Sequence, residues 1–139
     1  MFVKATQPPR LRVLLAEDDY DIRESLSRLL EADGYEVLAL SNGVELLDYL
    51  ASWILDERQG SPADVIVTDI RMPGFNGLSI VEGLRAKGWL QPVIVMSAFG
   101  DDEIRHRVSR MGKATFFAKP FNPVELEKTI TEVASPIAR

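Results

Sequence analysis

Five short apolar runs, spaced along 139 residues, constrain this chain more than any other feature. They read RVLLA (12–16), YEVLAL (35–40), DVIVT (64–68), PVIVMS (92–97) and ATFFA (114–118). Several are near-continuous in Val, Ile and Leu, without the alternation of a strand that faces water on one side. Such runs suit strands covered on both faces, and hence a parallel sheet. Longer segments with helical spacing lie between them. YDIRESLSRLLEADG (20–34) places Ile22, Leu26, Leu29 and Leu30 on one stripe, with Asp19 a candidate N-cap and Gly34 a stop. NGVELLDYLASWILDERQG (42–60) places Val44, Leu47, Leu50, Ala51 and Ile54 on one face, and SPAD breaks it. This helix is expected to reach about Asp56 and to give way to a long loop. GLSIVEGLRAKG (77–88) follows a candidate cap at Asn76. DDEIRHRVSRMG (101–112) turns Ile104, Val108 and Met111 inward. NPVELEKTITEVAS (122–135) starts with Asn122 at N-cap and Pro123 at the first helical position.

Five strands alternating with five helices, joined by right-handed crossovers, predict an α/β fold. The expected architecture is a flavodoxin-like, doubly wound, five-stranded parallel sheet in the order 2-1-3-4-5. The length fits one domain, expected over residues 10–135, after an extended lead-in at 1–9 and before a tail at 136–139. The net charge of -5 argues against direct binding to nucleic acid or to an anionic membrane. With no cysteine, disulfides, thiolate metal sites and a Cys nucleophile are excluded. The single histidine, His106, excludes a histidine metal cage and is expected to be exposed on its helix. No apolar run approaches the roughly 20 residues of a membrane span. MFVKATQPPR is too short and polar for a signal peptide. The expected location is the cytoplasm.

In such a sheet the loops after the strands line one edge, and ligands bind there. Glu17-Asp18-Asp19 follow the first run, Asp69 the third, Ser97-Ala98 the fourth and Lys119-Pro120 the fifth. Each residue alone has a plain structural role. Asp19 can cap a helix, and Asp69 can start an Asx-type turn before Met72-Pro73-Gly74. Glu17 and Asp18 can be a solvated loop, Ser97 a strand-end hydroxyl and Lys119 a surface lysine. Together, at the ends of four strands, they predict a site. Carboxylates gathered closely raise each other's pKa unless a cation lies among them. Mg²⁺ suits a few carboxylates with coordination positions left for phosphate oxygens, and Asp can act as a nucleophile that forms an acyl phosphate.

VLLAEDDYDIRESL, VIVTDIRMPGFNGL, VIVMSAFGD and FFAKPFNPVELEKTI stand in this order, and over about residues 10 to 134 the chain resembles the receiver domain of two-component response regulators. The resemblance implies a phosphorylation-dependent signalling protein, not a turnover enzyme. Asp69 would accept a phosphoryl group from a sensor histidine kinase or a histidine phosphotransfer protein. Glu17 and Asp18 would be the acidic pair that holds Mg²⁺, or Mn²⁺ in its place, with Asp18 the direct ligand and Glu17 acting through a water. Asp69 and the backbone carbonyl of Arg71 would complete the protein ligands. Ser97 and Lys119 would contact the phosphoryl group, with a cis bond from Lys119 to Pro120. Ser97 and Phe116 would form the switch that shifts the face of helix 4, strand 5 and helix 5. The output would be an unknown partner, an effector domain if the chain is part of a longer regulator, or a homodimer.

Further expectations concern single residues. The resemblance also implies that Phe99 and Arg71, each two positions beyond a site residue, affect water access to the phosphoryl group, and bulky Phe99 is expected to slow its hydrolysis. RHRVSR (105–110) is a solvated basic face or a docking surface for an acidic partner. Trp53 and Leu55 belong to a local extension or to a partner surface. The alternative function is a Mg²⁺-dependent phosphohydrolase with an Asp nucleophile. Such enzymes carry a second Asp two residues on, where this chain has Arg71. A nucleotide binder lacks support, since neither G-x-G-x-x-G nor a Walker A loop follows the first strand. A pseudo-receiver that only binds a partner conflicts with the intact acids, Ser97 and Lys119.

Overall fold

The computed structural model describes residues 10–55, 62–74, 76–98 and 102–134. The expected lead-in at 1–9, the tail at 136–139, Asp56 with the loop after it, and Phe99 lie outside these residues. So do the side chains of Ile54 and Leu55.

The apolar runs form β1 (Arg12–Ala16), β2 (Glu36–Leu40), β3 (Val65–Asp69), β4 (Val93–Ser97) and β5 (Ala114–Ala118). The helical segments form α1 (Tyr20–Ala32), α2 (Gly43–Leu55), α3 (Gly77–Ala86), α4 (Asp102–Ser109) and α5 (Pro123–Val133). All strand pairs are parallel and the order is β2-β1-β3-β4-β5, as expected. Every residue of β3 and β4 is buried, which suits the apolar runs VIV and VIVM that open them. The edge strands β2 and β5 are only partly buried.

Strand parity sorts the core into two layers. Val13, Leu15, Val65, Val67, Ile94 and Met96 face Leu26 and Leu30 of α1 and Leu126 and Ile130 of α5. Leu14, Ala16, Ile66, Val93 and Val95 face Leu46 and Leu50 of α2, Leu78, Val81 and Leu84 of α3, and Val108 of α4. The sheet thus has α1 and α5 on one side and the other three helices on the other.

Three helices begin at the caps read from the sequence. Asp19 accepts from the Ile22 amide, Asn76 from the Leu78 and Ser79 amides, and Asn122 from the Val124 amide with Pro123 at the first helical position. The buried face of α2 differs in part from the expected one. Leu50 is buried as expected and Leu47 and Ala51 are partly buried, but Leu46 is also buried while Val44 is 45% exposed. LLDYLASWIL is apolar on most sides, so its periodicity does not choose a face. α4 also stops short of Met111, which is half-buried beyond the helix. There Gly112 and Lys113 take positive φ angles of 71° and 48°. Arg85 of α3 holds this connection, donating to the carbonyls of Met111 at 3.2 Å and Gly112 at 2.9 Å.

Candidate functional site

The carboxyl ends of β1, β3, β4 and β5 meet at one edge, and parity decides which side chains converge. Glu17 continues the series Val13–Leu15, Asp69 the series Val65–Val67, and Lys119 follows Phe117, all toward the α1/α5 side. The ladder extends past the strands to fix two of them. The Glu17 amide donates to Leu40 O at 3.0 Å, and the Lys119 amide donates to Ser97 O at 2.8 Å.

Lys119 Nζ donates to Glu17 Oε1 and to Asp69 Oδ2, each at 2.5 Å. Glu17, Asp18 and Asp69 each place a carboxylate oxygen within 4.8 Å of the others. Glu17 is fully buried and Asp69 nearly so, whereas Asp18 is exposed. Burial pushes the Glu17 carboxyl up to about 7, and the Asp69 charge and Asp18 add to this, against the pull of Lys119 and of the Asp19 amide. For Lys119, desolvation works to lower the ammonium, but the hydrogen bonds and charges of Asp69 and Glu17 outweigh it and raise it.

Asp69 also fills the plain role weighed for it. Its Oδ1 accepts from the Arg71 amide at 3.0 Å, an Asx-type bond, so one residue both starts the turn and faces the lysine. The turn packs closely at Gly77. A Cβ there would lie 2.3 Å from Asp69 O and 2.6 Å from Thr68 Oγ1. The Lys119–Pro120 peptide is cis.

The remaining expected residues lie on β4, on β5, on α4 and in the turn after β3. Ser97 is buried at the end of β4, and Arg71 is exposed after β3. Ser97 shares its parity with Val93 and Val95, so it belongs to the α2–α4 side, the side of Phe116. Phe116 is half-buried, and the Arg105 guanidinium lies 4.5 Å from its ring centroid. His106 is exposed on α4, as expected.

Two residues of the site are invisible to motif reading. Thr68 is buried and donates to Asp69 O at 3.0 Å. Arg23 donates to Glu17 O at 2.7 Å. Both act on backbone carbonyls, which leave no trace in residue spacing. A hydroxyl beside the acid, and a basic residue one turn into α1, are the only signals available. Next to Lys119 a groove of about 430 Å³ opens between α1 and the start of α5, lined by Ile22, Leu26, Pro120 and Phe121 among others.

The donor set is all oxygen, three carboxylates deep, with one ammonium. It fits a hard divalent cation and the anionic oxygens of a phosphoryl group. Fold and centre together define a doubly wound α/β domain with an acid trio and a lysine at the carboxyl ends of its strands. The chain belongs to the response regulator receiver domain family, whose model matches residues 13–131. It is 38% identical over 117 residues to the transcriptional regulatory protein FixJ of Azorhizobium caulinodans, covering 83% of this chain and 51% of that protein. It is 28% identical over 119 residues to sporulation initiation phosphotransferase F of Bacillus subtilis, covering 86% of this chain and 90% of that one. The solved receiver domain of the Francisella response regulator 1452 matches with a TM-score of 0.74 at 27% identity, over 90% of this chain and 97% of the other. The chain therefore spans about half the length of the first relative and nearly all of the second.

Receiver domains are phospho-acceptor signalling domains of two-component systems, and they work with histidine kinases or phosphotransfer proteins. Among the described residues no helix is long and apolar enough to cross a membrane.

Proposed function

We propose that Asp69 is the phospho-acceptor of this receiver domain and that its phosphorylation redirects the face formed by α4, β5 and α5. The observation that carries this is the placement of Asp69, held at 2.5 Å from Lys119 and within 4.8 Å of Glu17 and Asp18.

Asp18, Asp69 and the Arg71 carbonyl would hold Mg²⁺ or Mn²⁺, with Glu17 acting through water. The bound ion would supply positive charge to the oxygens of the transferring phosphoryl group. A carboxylate oxygen of Asp69 forms the new O–P bond as the N–P bond of a donor phosphohistidine breaks. The donor imidazole keeps the electron pair and takes up a proton. Lys119 gives up its contact with the attacking oxygen and pairs with a phosphoryl oxygen. The Ser97 hydroxyl donates to another. In the return step water adds to phosphorus and the bond to Asp69 breaks, restoring the carboxylate and releasing phosphate. The groove beside Lys119 supports approach of the donor from the α1/α5 side.

Ser97 and Phe116 are the proposed switch, and their place on the same side of the sheet supports it. A phosphoryl group that binds one arrangement of Ser97 more tightly shifts the population toward it. Phe116 then repacks at the surface that partners read. The receiver unit is proposed to span residues 10–135. A sensor kinase or phosphotransfer protein is the proposed donor, and an output partner or linked effector the recipient.

Incubation with acetyl phosphate and Mg²⁺ tests the assignment. One phosphoryl group should be added to the wild type and none to Asp69→Asn, read by intact mass. Equal labelling of both proteins would sink it.

A further inference from the structure

The first turn of α1 carries a cation where the helix dipole disfavours one. Arg23 lies four residues after the cap Asp19, whose carbonyl accepts its amide at 2.9 Å. Its side chain runs back toward the helix N-terminus, over the acidic loop. One guanidinium nitrogen donates to Glu17 O at 2.7 Å and reaches Asp18 O at 3.4 Å. The Tyr20 ring centroid lies 5.6 Å from the guanidinium carbon.

Those two carbonyls belong to the peptide groups on either side of the Asp18 Cα. Holding both limits rotation about that carbon, and so sets where the Asp18 carboxylate points. The Glu17 amide is tied to Leu40 O at 3.0 Å, so the first of the two peptide groups starts from a residue anchored in the ladder. The Asp18 side chain is exposed, and the Glu17 side chain bears on its carboxyl. The charge of Arg23 by itself would repel a divalent ion. Its benefit to such a site has to come through geometry.

We infer that Arg23 is a positioning residue for divalent-cation binding, acting by fixing the backbone on both sides of Asp18. The inference rests on the proposed reading in which Glu17, Asp18 and Asp69 hold Mg²⁺.

Calorimetric titration with MgCl₂ tests it on the wild type, Arg23→Lys and Arg23→Gln, with metal-free melting curves alongside. Loss of a group that orients a metal ligand typically weakens affinity about 10- to 100-fold. Arg23 is partly exposed, so about tenfold is expected for Arg23→Gln, at the lower end of that range. Arg23→Lys keeps the charge but not the fork, and should fall between Arg23→Gln and the wild type. Phosphorylation by acetyl phosphate should recover in both variants as Mg²⁺ is raised. Affinity equal to or tighter than wild type in either variant overturns the inference, since charge repulsion would then dominate. A loss of affinity matched by a collapse of the metal-free melting temperature in both variants also overturns it, because the role would be structural. If Arg23→Gln does not fold, Arg23→Lys decides. Absence of Mg²⁺ binding by the wild type would instead overturn the proposed function.

Discussion

The two carboxylate oxygens of Asp69 have different neighbours, an amide on Oδ1 and an ammonium on Oδ2. Lys119 divides its donors between Asp69 and a second acid, Glu17, that is wholly enclosed. Glu17 holds a proton up to about pH 7, against an ordinary 4.5, chiefly because it is desolvated. The sign follows from linkage. A raised carboxyl pKa contributes stability that is full below about pH 4.5 and is lost as pH rises to about 7. In chelator, the melting temperature should therefore fall more steeply across that window for the wild type than for Glu17→Gln. Mg²⁺ affinity should rise over the same window, because the ion competes with that proton. A wild-type curve parallel to that of Glu17→Gln would refute the assignment. Gly77→Ala drives a Cβ to 2.3 Å from a backbone carbonyl, and should destabilise by roughly 2–3 kcal/mol in urea unfolding.

The starts of three helices were legible because a capping side chain bonds within its own turn. Asp19, Asn76 and Asn122 each cap as their position suggests. The strands and their order were legible too, since buried parallel strands leave unbroken apolar runs. The buried face of α2 was legible only in part, at Leu50, because apolar residues are spread round the helix and tertiary contacts bury Leu46 and leave Val44 exposed. The acids and the lysine of the site stood out because they interrupt apolar runs at their carboxyl ends. Arg23 and Thr68 did not, since their partners are carbonyls. α4 is joined to α3 by a two-pronged ion pair, with Arg107 donating to both oxygens of Glu82. Both side chains are about one-third exposed, so solvent screens the pair. Glu82→Ala should cost about 0.5–1 kcal/mol in dilute buffer and less in concentrated salt. Unfolding at two ionic strengths would check this, and a cost that grows with salt would contradict it.

At the scale of the molecule, ion binding and folding are linked. An ion that binds only the folded chain adds about 2.7 kcal/mol of stability at 100 times its dissociation constant. Mg²⁺ should raise the melting temperature of the wild type, and Asp18→Asn should lose most of that increment. The core tolerates less. Leu50 is enclosed between the sheet and the helices of its layer, and Leu50→Ala should cost about 2–5 kcal/mol. The odd-and-even division of the sheet has a further consequence, for how such a chain can change in length. Glu17, Asp69 and Lys119 project to one side, and Ser97 and Phe116 to the other. Inserting a single residue within β5, between Phe116 and Lys119, would leave the aromatic in place and throw the ammonium across to the opposite side. Two inserted residues would preserve the sides and only lengthen the reach. Length variation in relatives should therefore accumulate in the connections and spare the last few residues of each strand, where a slip of one parts the centre from its proposed switch.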